Sequence, residues 1–338
     1  MRIVLRADAS SDIGLGHVSR TLALAHAIQQ LGVEVTCTGS HMTTGRNLAQ
    51  SYESIPVVES SFSANEDGAR EILKLDPDGV VVDGYHFSAN FFRMLDEAAV
   101  PYAAIDDGGR TNAIYPRLIH NQNPDASPTV YYSAPKATRL LLGQDYVLLR
   151  PEIERVKRDS AHIQDVVLLG FGGTDTAKLT IPVAAKLLGA GIAVRMSSSF
   201  DSLARKHLSQ NIRNRSVQFF NPSHFPEMLA TSRLAVLGAG SSLWEASAIG
   251  VPAIGVIVAD NQIGPAHLAQ ELGYIDYVID GMPPRALDDV CEEILEKTMS
   301  AITQGADSLE DRLRIPVGGA HRTAKALIDQ FSNHHQDS

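Results

Sequence analysis

The sequence predicts an α/β protein built from two doubly wound parallel sheets. Three observations carry that expectation. Short apolar runs alternate with amphipathic helical segments along most of the chain, the signature of βαβ units. Runs such as Gly79–Asp83 (GVVVD) and Tyr102–Asp106 (YAAID) are apolar throughout and end in an acid, as suits strands buried on both faces. The pattern also begins twice, each time with a strand followed by a Gly-rich turn.

In the first half, strand Arg2–Ala7 precedes the turn Gly14-Leu15-Gly16 and a helix from about His17 to Leu31. Val18, Leu22, Ala25, Ile28 and Leu31 recur there at three- and four-residue spacing, and Gly32 reads as the C-terminal cap. Val33–Thr38 is the next strand, Ile72–Leu75 ends a helix, and Phe91–Ala98 is a helix between the GVVVD and YAAID strands. Leu118–His120 and Leu140–Leu142 are weaker strands. Pro151 and the charged run Glu152–Asp159 place a linker near Leu149–Asp159, dividing the chain into domains 1–150 and 151–338. The second half has strands at Asp165–Leu169, Ala193–Met196, Val217–Phe220, Leu234–Leu237, Ala253–Ile257 and Ile275–Val278. Its helices are expected at Thr176–Leu188, Leu243–Ile249, Pro265–Leu272, Arg285–Thr303 and Gly319–Phe331.

The 338 residues suffice for two domains, and 44% apolar with 20% charged residues is ordinary for a globular protein. A net charge of −10 argues against a nucleic-acid partner. Cys37 and Cys291 form no CxxC or Cys/His cluster, which argues against structural zinc and disulfides. No signal-type or membrane-spanning apolar run is present, so a cytoplasmic location without membrane insertion is expected. The oligomeric state is left open.

In such sheets, ligands bind at the carboxyl ends of strands. His17 lies where a Gly-bracketed turn opens a helix. The exposed N–H groups of a first turn suit anionic or polar ligands, and the positive end of the helix dipole favours a neutral imidazole, the form a general base needs. The plainer reading is a βα turn with a surface histidine. Asp8, ending the first strand, is a candidate to orient His17. Asp83-Gly84-Tyr85-His86 and Asp106-Asp107-Gly108-Gly109-Arg110 also lie at strand ends, with turn capping as the alternative role.

In the second half, Gly172-Gly173-Thr174-Asp175 suits backbone approach to a phosphate, or a tight turn with Thr174 or Asp175 as helix cap. Gly238-Ala239-Gly240-Ser241-Ser242-Leu243-Trp244-Glu245 places small residues and two hydroxyls where a diphosphate could sit. Glu245 could accept from a ribose diol or form a capping box with Ser242. Asp260-Asn261-Gln262 offers amides to a sugar or phosphate, or forms an Asx turn. HExxH, GxSxG, GxGxxG and P-loop patterns are absent, and no DxD-type metal grip on a nucleotide diphosphate is read, so no metal or cofactor is expected.

Seven motifs in order, SDIGLGHVSR, VVDGYHF, AAIDDGGR, LLGQDYVLLRPE, LGFGGTD, SSLWEASAIG and VADNQIGPAHLA, resemble the nucleotide-sugar hydrolases of pseudaminic acid biosynthesis. The second half is also similar to the UDP-GlcNAc transferase of peptidoglycan synthesis. The resemblance implies a GT-B fold, two Rossmann-like βα domains around a central cleft. It implies a UDP-sugar substrate, most specifically UDP-2,4-diacetamido-2,4,6-trideoxy-β-L-altropyranose, hydrolysed without metal and with inversion. His17 is implied as general base; Gly16, Tyr85 and Asn261 as sugar contacts; and Gly173, Thr174, Gly240, Ser241, Ser242 and Glu245 as the UDP seat. The Pro-rich stretch Thr111–Ala137 and the helix at Arg285–Thr303 depart from that pattern. A glycosyltransferase with another acceptor, a hydrolysing 2-epimerase and a non-catalytic nucleotide-sugar binder are the competing readings.

Overall fold

A computed structural model describes residues 1–10, 15–60, 63–107, 116–172, 175–208, 216–304 and 313–337. The chain packs as two units, Met1–Pro151 with Pro316–Ser338, and Glu152–Ile315.

The first unit runs β1 (Arg2–Ala7), α1 (Gly16–Gln30), β2 (Glu34–Gly39), α2 (Met42–Arg46), β3 (Val57–Glu59), α3 (Glu66–Leu73), β4 (Gly79–Asp83), α4 (Ala89–Glu97), β5 (Tyr102–Ile105), β6 (Leu118–Asn121) and β7 (Arg139–Leu142). Its strands form one parallel sheet in the order β3-β2-β1-β4-β5-β6-β7. The order reverses between β1 and β4, and the strand ends beside that reversal are where ligands gather in doubly wound sheets. Ala7 pairs with Asp83 in register, so the ends of β1 and β4 lie side by side.

The second unit begins with α5 (Pro151–Arg155), which crosses the boundary. It continues through β8 (Gln164–Gly170), α6 (Thr180–Gly189), β9 (Val194–Ser197), α7 (Asp201–His207), β10 (Val217–Phe220), α8 (Phe225–Ala230) and β11 (Ser232–Gly238). Then come α9 (Ser241–Ile249), β12 (Ala253–Ile257), α10 (Ile263–Glu271), β13 (Tyr277–Asp280) and α11 (Leu287–Thr303). The parallel order β10-β9-β8-β11-β12-β13 repeats the first sheet's topology.

The last helix, α12 (Gly319–Asp337), departs from the expected 151–338 domain. Ala320, Ala324, Leu327 and Phe331, spaced four, three and four residues apart, join the core of the first unit with Val18, Leu22 and Ile3. The fully buried Phe331 ring lies against Gly79, where a Cβ would come within 2.3 Å of it. The stripe therefore completes the first sheet's α1 face, and burial of these apolar groups decides the unit to which α12 belongs.

Candidate active site

The helix α1 starts at Gly16, so His17 is its second residue, and no side chain caps this end. His17 Nδ1 lies 2.6 Å from Asp83 Oδ1 at the end of β4. Asp83 is fully buried and also accepts from Arg20 Nε (2.6 Å to Oδ2), Arg20 Nη2 (2.6 Å to Oδ1) and Thr21 Oγ1 (3.3 Å). Burial opposes its ionisation, but the Arg20 guanidinium first and His17 second offset this and hold the carboxyl far below the usual carboxylate range.

An ionised carboxylate has no proton to give, so the bond to His17 must be Nδ1–H donating to Asp83. Arg20 Nη2, 3.1 Å from the same Nδ1, therefore spends its hydrogen on Asp83. This assigns the tautomer: Nε2 carries the lone pair of the neutral ring, and among the described residues nothing hydrogen-bonds to it. A carboxylate holding one ring nitrogen so that the other can take a proton is the orienting logic of catalytic triads.

The arrangement continues through Arg20. Its Nη1 donates to both oxygens of Asp107, at 2.7 and 3.0 Å, and Tyr85 donates its hydroxyl to Asp107 Oδ2. The Tyr85 ring meets the His17 ring edge to face, centroids 5.1 Å apart. Burial, then the Asp107 charge, pushes the Tyr85 phenol above its ordinary range, so it stays a donor. Part of the Pro-rich stretch braces this corner: Tyr131 donates to the Asp106 carbonyl at 2.8 Å.

Of the expected residues in this unit, Gly16, His17 and Tyr85 are thus brought together. Asp8 is not the partner of His17; it pairs with Arg6 and His86 instead, because β1 directs it toward Ser40 at the β2 end. Arg20 was not anticipated from sequence. The available signal was its position three residues after His17 on an otherwise apolar helix face.

In the second unit, Gly240 precedes the first turn of α9, with Ser241 and Ser242 half-buried at its start and no side chain capping it. Glu245 is the fifth helical residue and buried, beyond the first turn; with Gly240 as N-cap, the Ser242–Glu245 capping box does not form. Asn261 is exposed in a 3-10 turn after β12. Its neighbour Gln262 holds the Val258 N–H through Oε1 at 2.9 Å, and its Nε2 would lie 3.8 Å from a Cβ at Gly240. The turns after β11 and β12 therefore converge. Gly173, Thr174 and Arg110 lie outside the described residues. Asp175 caps a helix: its carboxylate accepts from Leu179 and Thr180 N–H, both at 3.0 Å, and α6 starts at Thr180 rather than at Thr176.

Two sheets of this topology and these site positions invite comparison with solved structures. The Methanocaldococcus jannaschii UDP-GlcNAc 2-epimerase in complex with UDP-GlcNAc and UDP superposes with a TM-score of 0.65 at 11% identity, covering 97% of this chain and 100% of that one. The Staphylococcus aureus MnaA–UDP co-structure gives 0.69 at 12% identity, covering 98% and 97%. The Acinetobacter baumannii MurG structure gives 0.59 at 13% identity, covering 97% and 99%.

The chain has the GT-B fold.

No family model matches it. Among curated proteins it is 22% identical over 277 residues to the UDP-2,4-diacetamido-2,4,6-trideoxy-β-L-altropyranose hydrolase of Campylobacter jejuni, covering 81% of this chain and 98% of that one. It is 21% identical over 287 residues to the spore coat polysaccharide biosynthesis protein SpsG of Bacillus subtilis, covering 81% and 82%. An uncharacterized protein of M. jannaschii is 22% identical over 268 residues; the match covers 75% of this chain and only 55% of that longer relative. Among the described residues, no helix is long and apolar enough to cross a membrane.

Proposed function

We propose that this protein hydrolyses UDP-2,4-diacetamido-2,4,6-trideoxy-β-L-altropyranose to UDP and the free sugar, with inversion at the anomeric carbon. The observation that carries the reading is the His17–Asp83 pair, which leaves Nε2 as a proton acceptor at the start of α1. In the reaction, Nε2 takes a proton from water, the water oxygen bonds to the anomeric carbon, and the bond from that carbon to the diphosphate oxygen breaks. Electron pair and charge leave with UDP.

Asp83 accepts from Nδ1–H and holds the ring in place while Nε2 takes the proton. Tyr85 bounds His17 on one side and serves as a sugar contact, as do Gly16 and Asn261. In the second unit, Gly240, Ser241 and Ser242 hold the diphosphate at the N-terminus of α9, whose N–H groups and hydroxyls receive the leaving charge without a metal ion. Glu245 takes the ribose diol, and Gly173 and Thr174 complete the nucleotide seat. The names of the Campylobacter relative and of the UDP-bound structures support this choice of substrate.

The test is UDP release from the altrose substrate with EDTA present and UDP-GlcNAc in parallel. Release of UDP and free sugar from the altrose substrate alone is expected. Turnover of UDP-GlcNAc instead, or UDP binding without turnover of either, overturns the reading. A His17→Ala variant is expected to bind UDP and lose turnover.

A further inference from the structure

The first unit carries a second Arg–Asp–His chain beside the one described. Asp8, one residue past β1, is buried and accepts from Arg6 Nη2 at 2.9 Å, from the Ser40 N–H at 2.8 Å and from His86 Nε2 at 2.9 Å. Arg6 is itself buried and donates through Nη1 to the buried Ser60 hydroxyl at 3.1 Å. Phe87 backs both ends: its ring lies 4.4 Å from the His86 ring and 5.8 Å from the Arg6 guanidinium. Ser60, Arg6 and Asp8 are each under a tenth exposed, whereas the His86 side chain is 38% exposed.

A buried ion pair is poor evidence of stabilisation, because desolvation consumes most of its attraction. Here the pair's one exposed member is an imidazole held by its Nε2. Burial works against the Asp8 charge, but the His86 bond, the Ser40 N–H and Arg6 outweigh it and lower its pKa. The ionised carboxylate fixes the tautomer as at His17, so Nδ1 of the neutral ring is an acceptor. The Cε1–Nδ1 edge of the ring lies beside Gly84, where a Cβ would come within 3.0 Å of Cε1 and 3.1 Å of Nδ1, so the ring takes this position only because residue 84 has no side chain. Tyr85 and His86 are consecutive, one engaged with the Asp107 and His17 side of β4 and the other with the β1 side.

We infer that His86 is a specificity-determining contact for the sugar, its Nδ1 accepting a hydrogen bond from a hydroxyl or acylamino N–H of the UDP-sugar while Asp8 clamps the ring. The inference rests on the proposed UDP-sugar reading and adds to it a recognition role separate from proton transfer.

Calorimetry tests it in a His17→Ala background, where turnover does not interfere. UDP-2,4-diacetamido-2,4,6-trideoxy-β-L-altropyranose and UDP are titrated into H17A, H17A/H86A and H17A/H86N. H86A is expected to weaken the UDP-sugar about fivefold, the equivalent of ~1 kcal/mol for one neutral hydrogen bond, with UDP affinity unchanged. H86N, whose amide oxygen can occupy the Nδ1 position, is expected to recover most of the loss. Equal UDP-sugar affinity with and without His86, or a parallel loss for UDP, overturns the inference. So does an H86N variant no better than H86A. Wild-type hydrolysis is scored separately, so a failed hydrolase reading shows as absent turnover whatever His86 does to binding.

Discussion

At the residue scale, the His17–Asp83 pair makes a sharp demand. Asp83→Asn keeps the side chain's shape but removes the charge and places an amide where only an acceptor works, so Nδ1–H loses its fixed partner. UDP release should fall roughly 10²–10⁴-fold while calorimetric UDP affinity stays within twofold. His120, in β6, makes a different one. Its Nε2 donates to the Tyr146 carbonyl at 2.8 Å, and its buried Nδ1 has no hydrogen-bond partner among the described residues. Burial pushes its pKa from 6.5 down to about 4. The unfolded chain therefore binds a proton that the folded chain refuses, and stability present above pH 6.5 is lost as pH falls toward 4. Urea unfolding across that window should show a loss of at most on the order of 3 kcal/mol from this group, reduced in a His120→Gln variant. The sequence made His17 and Tyr85 visible because a Gly-bracketed helix start and a strand-end acid mark them. It did not reveal which aspartate serves which histidine. That pairing depends on the register of β1 against β4, which sets Ala7 beside Asp83 and turns Asp8 toward Ser40.

At the element scale, most strands of both sheets were legible because apolar runs buried on both faces leave little alternative. The short α2 and β3 were not, since five- and three-residue elements carry too little periodicity to separate from loop. The start of α6 was misplaced because Asp175 caps it from five residues away. The helix α12 was recognised as a helix, but its unit was not, because an apolar stripe states that something is covered and not what. Its contribution is measurable. Phe331→Ala should destabilise the protein by about 3–5 kcal/mol in urea unfolding, the usual cost of emptying a buried aromatic site.

At the scale of the whole molecule, the second unit is one continuous segment, Glu152–Ile315, whereas the first is made from both ends of the chain. A fragment 152–315 is therefore expected to unfold cooperatively and, on the proposed reading, to bind UDP in calorimetry. A fragment 1–151 leaves the α1 face without Ala324, Leu327 and Phe331 and is expected to be soluble only when 316–338 is supplied in trans. A fragment 1–151 that is stable and monodisperse alone would show that α12 is dispensable to that core.

The placement of α12 also bears on synthesis. A ribosome making this chain completes the seven strands of the first sheet before it begins the second unit, yet the helix that seals one face is made only after that whole unit. At 5–20 residues per second, Val18 and Leu22 wait roughly 10–30 s for their partners while Glu152–Ile315 is translated. During that interval the nascent first unit presents a sticky apolar surface while the second can already close on itself. The unit whose strands are made first is therefore sealed after the unit that follows it, and its open α1 face is the surface most exposed to misassociation in the interval.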